Sequence, residues 1–174
     1  MIALKHLYSV LGYPIVVTMI IPILILFNAI NRDTRLDIEN PNAIFAIIAG
    51  VSLLVSGFIL LLSTMRVLSD VGDEEEDEEW DPTKYFVIEG TYAFIRNPLT
   101  VAMLMILIGE VCLTGSHGLA IYAGIFFLGS HVYIVSFEEP MLVRKFGGKY
   151  REYADHVHRW YPRRHAWNPV HRLY

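Results

Sequence analysis

Four long apolar stretches, separated by short polar or charged segments, constrain this chain more than any other feature. They run from Leu7 to Ile30, Pro41 to Leu68, Pro98 to Leu113 and Leu119 to Phe137. A hydrocarbon layer is about 30 Å thick and takes about 20 helical residues to cross. Backbone left unpaired in lipid costs several kcal/mol per group, so each stretch is expected to be a helix. With 54% hydrophobic and only 18% charged residues among 174, the chain carries more apolar side chains than one soluble core can hide. The expected fold is all-α: a polytopic membrane protein with four transmembrane helices and a cytoplasmic, amphipathic C-terminal helical tail, forming a single domain over residues 1–174. The first stretch is too long for a cleaved signal peptide and lacks a small-residue cleavage site, so it reads as the first span.

The links between the stretches fix their arrangement. The T-G-S-H-G turn from Thr114 to Gly118 leaves room only for an antiparallel hairpin of the third and fourth spans. Pro14 and Pro22 in the first span, and the small residues Gly50, Ser52, Ser56 and Gly57 in the second, suit helices packed closely in lipid. Four spans put both termini and the middle loop on one side. That side holds Lys5, Arg66, Lys84, Arg96, Arg144, Lys145, Lys149, Arg151, Arg159, Arg163, Arg164 and Arg172, against Arg32 and Arg35 opposite. The excess of basic residues assigns both ends to the cytoplasm and the chain to the cell membrane as a multi-pass protein.

Charge and motifs exclude several classes. The formal net charge of -4 reflects the run D-E-E-E-D-E-E from Asp73 to Glu79 within the acidic loop 69–84. Its self-repulsion keeps it in water, which is a plainer role than metal or cation binding. Basic residues cluster instead in the tail from Arg159 onward, where R-W-Y-P-R-R suits anionic headgroups; nucleic-acid binding is not indicated. A lone cysteine, Cys112, excludes an intramolecular disulfide and a cysteine zinc cluster. No H-E-x-x-H, G-x-G-x-x-G, P-loop or G-x-S-x-G pattern occurs, so no metal site is expected.

Two places can carry chemistry. In E-G-T-Y-A-F-I-R-N-P, from Glu89 to Pro98, Asn97 reads as an N-cap with Pro98 at the first helical position. A helix starting there offers free N–H groups to an anionic ligand, although an ordinary capped start fits the same residues. Glu138-Glu139-Pro140 follows the fourth span, where adjacent carboxylates mark a site unless they merely end a hydrated helix. Beyond them Leu142, Phe146, Tyr150, Tyr153 and Val157 recur at helical spacing, interrupted by Gly147-Gly148. They predict a broken amphipathic helix along the membrane surface, with Arg144, Lys145, Lys149, Arg151 and Glu152 on its polar face. Glu110 and His131, inside the third and fourth spans, either line a polar cavity or hydrogen-bond between helices. His117 reads as a solvated residue of the outer turn.

Taken in order, G-T-Y-A-F-I-R-N-P at Gly90 to Pro98, an apolar hairpin, E-E-P-M-L-V-R-K-F-G-G-K-Y-R-E-Y at Glu138 to Tyr153, and V-H-R-W-Y-P at Val157 to Pro162 resemble the isoprenylcysteine carboxyl methyltransferase and phospholipid methyltransferase superfamily of integral membrane enzymes. The resemblance covers about the C-terminal half. It implies a methyltransferase that uses S-adenosylmethionine, releases S-adenosylhomocysteine and acts on a lipophilic, membrane-partitioned acceptor. Carried over by position, the cofactor-binding residues are Lys84, Tyr85, Phe86, Val87, Gly90, Tyr92, Arg96, Asn97, Pro98, Leu99, Thr100, Glu138 and Glu139. The tail from residue 138 to 174 would cap the cofactor. Two positions depart from the family's R-H-P-x-Y segment: Asn97 replaces its histidine and Thr100 its tyrosine. An arginine that handles a carboxylate substrate falls on Ile134, which argues against prenylcysteine. His131 and Tyr133 are candidates to face the acceptor, and carboxylate oxygen, amine nitrogen and thiol sulfur all fit as acceptor atom. A phospholipid amine N-methyltransferase, a non-catalytic membrane module derived from the family, and a sterol-reductase-like enzyme are the competing readings.

Overall fold

The computed structural model describes residues 12–29, 41–73 and 87–168. Among the described residues every regular element is helical and there is no strand. Five helices organise them: α1 (Gly12–Asn28), α2 (Pro41–Asp73), α3 (Pro98–Thr114), α4 (His117–Phe146) and α5 (Gly148–His156), with a 3₁₀ turn at Gly90–Ala93 between α2 and α3. Of these, α2 and α4 are long and apolar enough to cross a membrane, whereas α1 and α3 are shorter apolar helices. The 17 residues of α3 extend about 25 Å. Leu7 to Leu11, the Asn31 to Asn40 loop, the acidic run beyond Asp73, Lys84, Tyr85, Phe86 and the last residues of the tail lie outside the described residues.

The centre of the bundle is α3, because two adjacent faces of it are apolar and closely fitted. Ala102 and Ile106 pack on Leu61 and Met65 of α2, while Met103 and Leu107 pack on Val17 of α1 and Ala123 of α4; Leu99 touches both groups. Glycines bring α2 and α3 into backbone contact. A Cβ on Gly109 would meet the Gly50 carbonyl at 2.9 Å, and one on Gly57 would meet Ile106 at 2.9 Å and the Ala102 carbonyl at 3.1 Å. Such close approach is how helices associate where burial of apolar surface supplies no drive. Ser52 and Ser56, expected to share this interface, lie instead on the exposed side, and the Ser56 hydroxyl donates to the Ser52 carbonyl at 2.6 Å. Ile44, Phe45, Ile48, Val51, Val55, Ile59 and Leu62 of α2 and Ile121, Ile125, Leu128 and Val132 of α4 are all exposed. That apolar exterior suits lipid chains.

The prolines of α1 have a specific accommodation. Residues Val16–Ile20 form a π turn in which the Ile21 N–H reaches the Val16 carbonyl. The next bond of that ladder would come from Pro22, which has no N–H, so the Val17 carbonyl is free. Tyr122 of α4 fills the gap, its hydroxyl donating to that carbonyl at 3.2 Å. In an apolar surround a freed carbonyl needs such a partner.

Helix ends differ from expectation in three places. First, α2 runs on to Asp73, five residues past Leu68 into the segment expected to be loop. Second, the link between α3 and α4 is only Gly115 and Ser116. Gly115 takes a left-handed conformation at φ 63° and Ser116 accepts from the Leu119 N–H, so His117 and Gly118 belong to the helix rather than to the turn. Third, α4 does not stop at Phe137. It passes through a π turn at Ile134–Glu138 and continues to Phe146, which places Glu138 and Glu139 within a continuous helix. Gly147, at φ 60°, then breaks the chain direction before α5. Behind that break Tyr150, Tyr153, Val157 and Trp167 form a separate buried cluster with Ile88, Leu142, Val143 and Phe146, matching the spacing read from the tail.

Candidate functional site

Three segments meet at one end of the bundle: the loop leading into α3, the π turn of α4, and a strap formed by residues 158–167. Backbone bonds join strap to loop, with Arg96 N–H donating to the His158 carbonyl, Arg163 N–H to Phe94 and Trp167 N–H to Ala93, each at 2.9 Å. The loop itself is anchored on α2 and α5. Gly90 sits at φ 58°, and a Cβ there would collide with Val67 of α2. The buried Thr64 hydroxyl bonds with that of Thr91 at 3.2 Å, and the Tyr153 hydroxyl donates to the Tyr92 carbonyl at 2.8 Å.

Asn97 stands at the N-cap position of α3 with Pro98 after it, but its side chain makes no capping bond. It turns away and donates through Nδ2 to the Arg159 carbonyl at 3.3 Å. The strap therefore competes successfully for the amide that local sequence assigns to the helix. Pro98 is buried and Leu99 packs against the core, while Val87 and Thr100 are half-buried.

The two glutamates have different employment. Glu139 receives the Arg96 guanidinium on Oε1 at 2.9 Å and is gripped by Arg159 through both oxygens, at 2.7 Å each. A two-toothed guanidinium–carboxylate contact of this kind fixes orientation as well as charge. This ion cluster ties α4, the α3 loop and the strap together. Glu138, half-buried beside it, has no hydrogen bond or ion pair among the described residues. Its charge acts on the hydroxyls of Tyr92 in the loop and Tyr150 in α5.

The phenols of the loop and α5 remain protonated at neutral pH. Burial holds Tyr92 well above the ordinary phenol range and the Glu138 charge adds to it. Burial and the Glu139 charge push Tyr150 up to about 12, opposed by Arg96, to which it is hydrogen-bonded. Burial likewise raises Tyr153, and the hydrogen bond to Glu139 raises Arg159. These groups can donate hydrogen bonds, and none is poised to accept a proton.

Further along α4 toward its start, the His131 ring lies 5.8 Å from Trp160 of the strap and 6.2 Å from Phe127, and Trp160 meets Phe127 edge-on at 5.3 Å. Tyr133 points elsewhere: it is 56% exposed and stacked on Phe137. Of the residues singled out in the sequence, the fold brings together Tyr92, Arg96, Asn97, Glu138 and Glu139. Gly90 serves the loop's conformation. It adds Arg159, Tyr150 and Trp160, which sequence reasoning did not place at the site; the R-W-Y-P run is the only signal that points to two of them.

Apolar helices that face outward and hold an ion-paired polar site at one end define a helical protein suited to handling a polar reagent at the edge of an apolar phase. The phospholipid methyltransferase family matches the chain over residues 45–149, and the chain belongs to that family, within the integral membrane methyltransferases that include the isoprenylcysteine carboxyl methyltransferases. The matched segment contains the loop, Asn97 and both glutamates and ends before the strap. No curated protein and no solved structure shows significant similarity to the chain.

Proposed function

We propose that this protein transfers a methyl group from S-adenosylmethionine to a lipid-like acceptor at the cytoplasmic face of the cell membrane. In this reading α1 to α4 are four spans, both termini are cytoplasmic, and the strap closes over the cofactor. The observation that carries the reading is the Glu138 carboxylate, without a partner among the described residues, beside the fully engaged Glu139. A half-buried charge with no partner costs several kcal/mol unless a ligand completes it.

The residues present fit the cofactor. Glu138 would take its ammonium or ribose hydroxyls. Arg96, whose Nε is buried without a partner among the described residues, would take its carboxylate. Tyr92 and Tyr150, kept protonated, would supply neutral O–H donors around it. Glu139 is assigned to holding Arg96 and Arg159 in place. When bound, the cofactor supplies an electrophilic methyl group on a sulfonium. The chain's own part is to fix the direction of approach and to exclude water, which Trp160, Phe127 and the strap do by covering the site's hydrocarbon side.

A second observation favours a phospholipid amine over a prenylcysteine carboxylate. The position matched to the substrate-handling arginine is Ile134, only 3% exposed, so no cation stands there to receive a carboxylate.

Incubating purified protein with radiolabelled S-adenosylmethionine and a total membrane lipid extract tests the reading, a labelled lipid being the expected product. Saturable cofactor binding lost in Glu138→Gln supports it. A wild-type protein that binds no S-adenosylmethionine would instead mark a non-catalytic module.

A further inference from the structure

Two polar atoms beside the site take no part in its ion cluster. His131 Nδ1 and Trp160 Nε1 are buried and, among the described residues, neither has a hydrogen-bond partner. They belong to touching rings, 5.8 Å apart at 34°, that come from different parts of the chain. An indole N–H can only donate, and a buried donor left alone is destabilising. A histidine and a tryptophan that merely filled space beside Phe127 would be better as apolar residues. Arg163, three residues along the strap, also has a buried Nη1 without a partner among the described residues.

Their position along α4 gives the pair a ligand. His131 precedes Glu138 by two helical turns, about 10 Å along the axis. Passing from Glu138 toward the Ser116 end, α4 therefore presents a carboxylate without a partner among the described residues, then His131 Nδ1 beside the Trp160 N–H of the strap, then the apolar ring of Phe127 and the exposed Leu128 and Ile125. A lipid standing along the helix, head toward the site, offers its reacting group first, its phosphoryl oxygens next and its chains last. We infer that His131 and Trp160 form the anchor for the acceptor's phosphate group, donating through Nδ1 and Nε1 to its oxygens and setting the depth at which the acceptor atom meets the methyl donor. This rests on the proposed lipid acceptor, yet it concerns a separate set of atoms. Trp160 lies beyond the segment that matches the family.

The test uses the full chain in detergent with ¹⁵N-labelled tryptophan, the Trp160 indole resonance being the one missing in Trp160→Phe. Dihexanoyl phosphatidic acid should shift that resonance saturably, whereas dihexanoylglycerol, with the same chains and no phosphate, should not. Inorganic phosphate at the same concentration should leave it in place, since it lacks the chains that hold a lipid along α4. Trp160→Phe keeps an aromatic ring and removes the donor, so its affinity for phosphatidic acid should fall about tenfold or more. His131→Phe should do the same, and His131→Gln, which retains a donor, should recover part of the loss. An unmoved indole resonance, an equal response to dihexanoylglycerol, or a response to inorganic phosphate alone would overturn the anchor. Cofactor binding in the same sample is read separately, so failure of the methyltransferase reading and failure of the anchor give different results.

Discussion

Glu138 and Glu139 are neighbours in sequence, but removing their charges should have opposite consequences. Glu139→Gln leaves Arg96 and Arg159 without their shared anion in a partly buried site, and should lower stability by about 2 kcal/mol, read as a fall in thermal midpoint in detergent. Glu138→Gln removes a charge that no described protein group compensates, so the midpoint should hold or rise. If Glu138 contacts the cofactor, S-adenosylmethionine affinity should fall about ten- to a hundredfold, measured by calorimetry. A large loss of stability in Glu138→Gln would show that the carboxylate is structural. Gly90 offers a third contrast: an alanine there must hold φ near 58° against Val67, and Gly90→Ala should cost about 1–2 kcal/mol. At this scale the sequence singled out Asn97 and the glutamates, and the family resemblance Tyr92, but neither gave their partners. Arg159 is 20 residues from Glu139 and Arg96 is 43 away, and local spacing does not indicate which cation reaches which anion. Asn97 illustrates the reverse problem. Its type and position fit an N-cap, and a strap 62 residues distant takes its amide instead.

Among the helices, the glycines separate into those that carry a contact and those that do not. Gly109→Ala would drive a methyl group into the Gly50 carbonyl at 2.9 Å, where backbone rather than a flexible side chain must yield. We expect a loss of about 1–3 kcal/mol, as for overpacked cores, and a partial separation of α2 from α3. At Gly124 and Gly129 of α4 an added Cβ would meet nothing within 4 Å. Alanine at either should gain up to about 1 kcal/mol from helix propensity alone. Thermal unfolding of the three variants in one detergent checks the order, and equal midpoints would sink the packing account. The apolar runs were legible because composition alone demands helices in lipid. The two π turns were not, since nothing in Val16–Ile20 or Ile134–Glu138 departs from an ordinary helical run. In α1 the turn goes with a tertiary contact, the carbonyl freed by Pro22 being met by Tyr122. In α4 the π turn ends on Glu138, and π turns recur at functional positions.

For the molecule as a whole, everything proposed about the site depends on which face of the membrane it occupies. S-adenosylmethionine is polar and cytoplasmic in supply, so the proposed methyl transfer requires the end bearing Glu138, Arg96 and the strap to face the cytoplasm and the Gly115–Ser116 turn to face away. The basic residues around the site, including Arg144, Lys145, Lys149 and Arg151, favour that orientation. It can be measured in a Cys112→Ser background, which removes the chain's own thiol. A cysteine placed at His117, exposed at the start of α4, should react with a membrane-impermeant maleimide added to intact cells. One placed at Arg164, exposed on the strap, should react only after the membrane is opened. The start of α4 and the strap lie at opposite ends of the bundle, so one helix crossing once must give opposite answers. Labelling of Arg164→Cys from outside would put the ion cluster on the wrong side for the cofactor. The methyl-transfer reading would then fail whatever the geometry of Glu138, because the donor could not reach it.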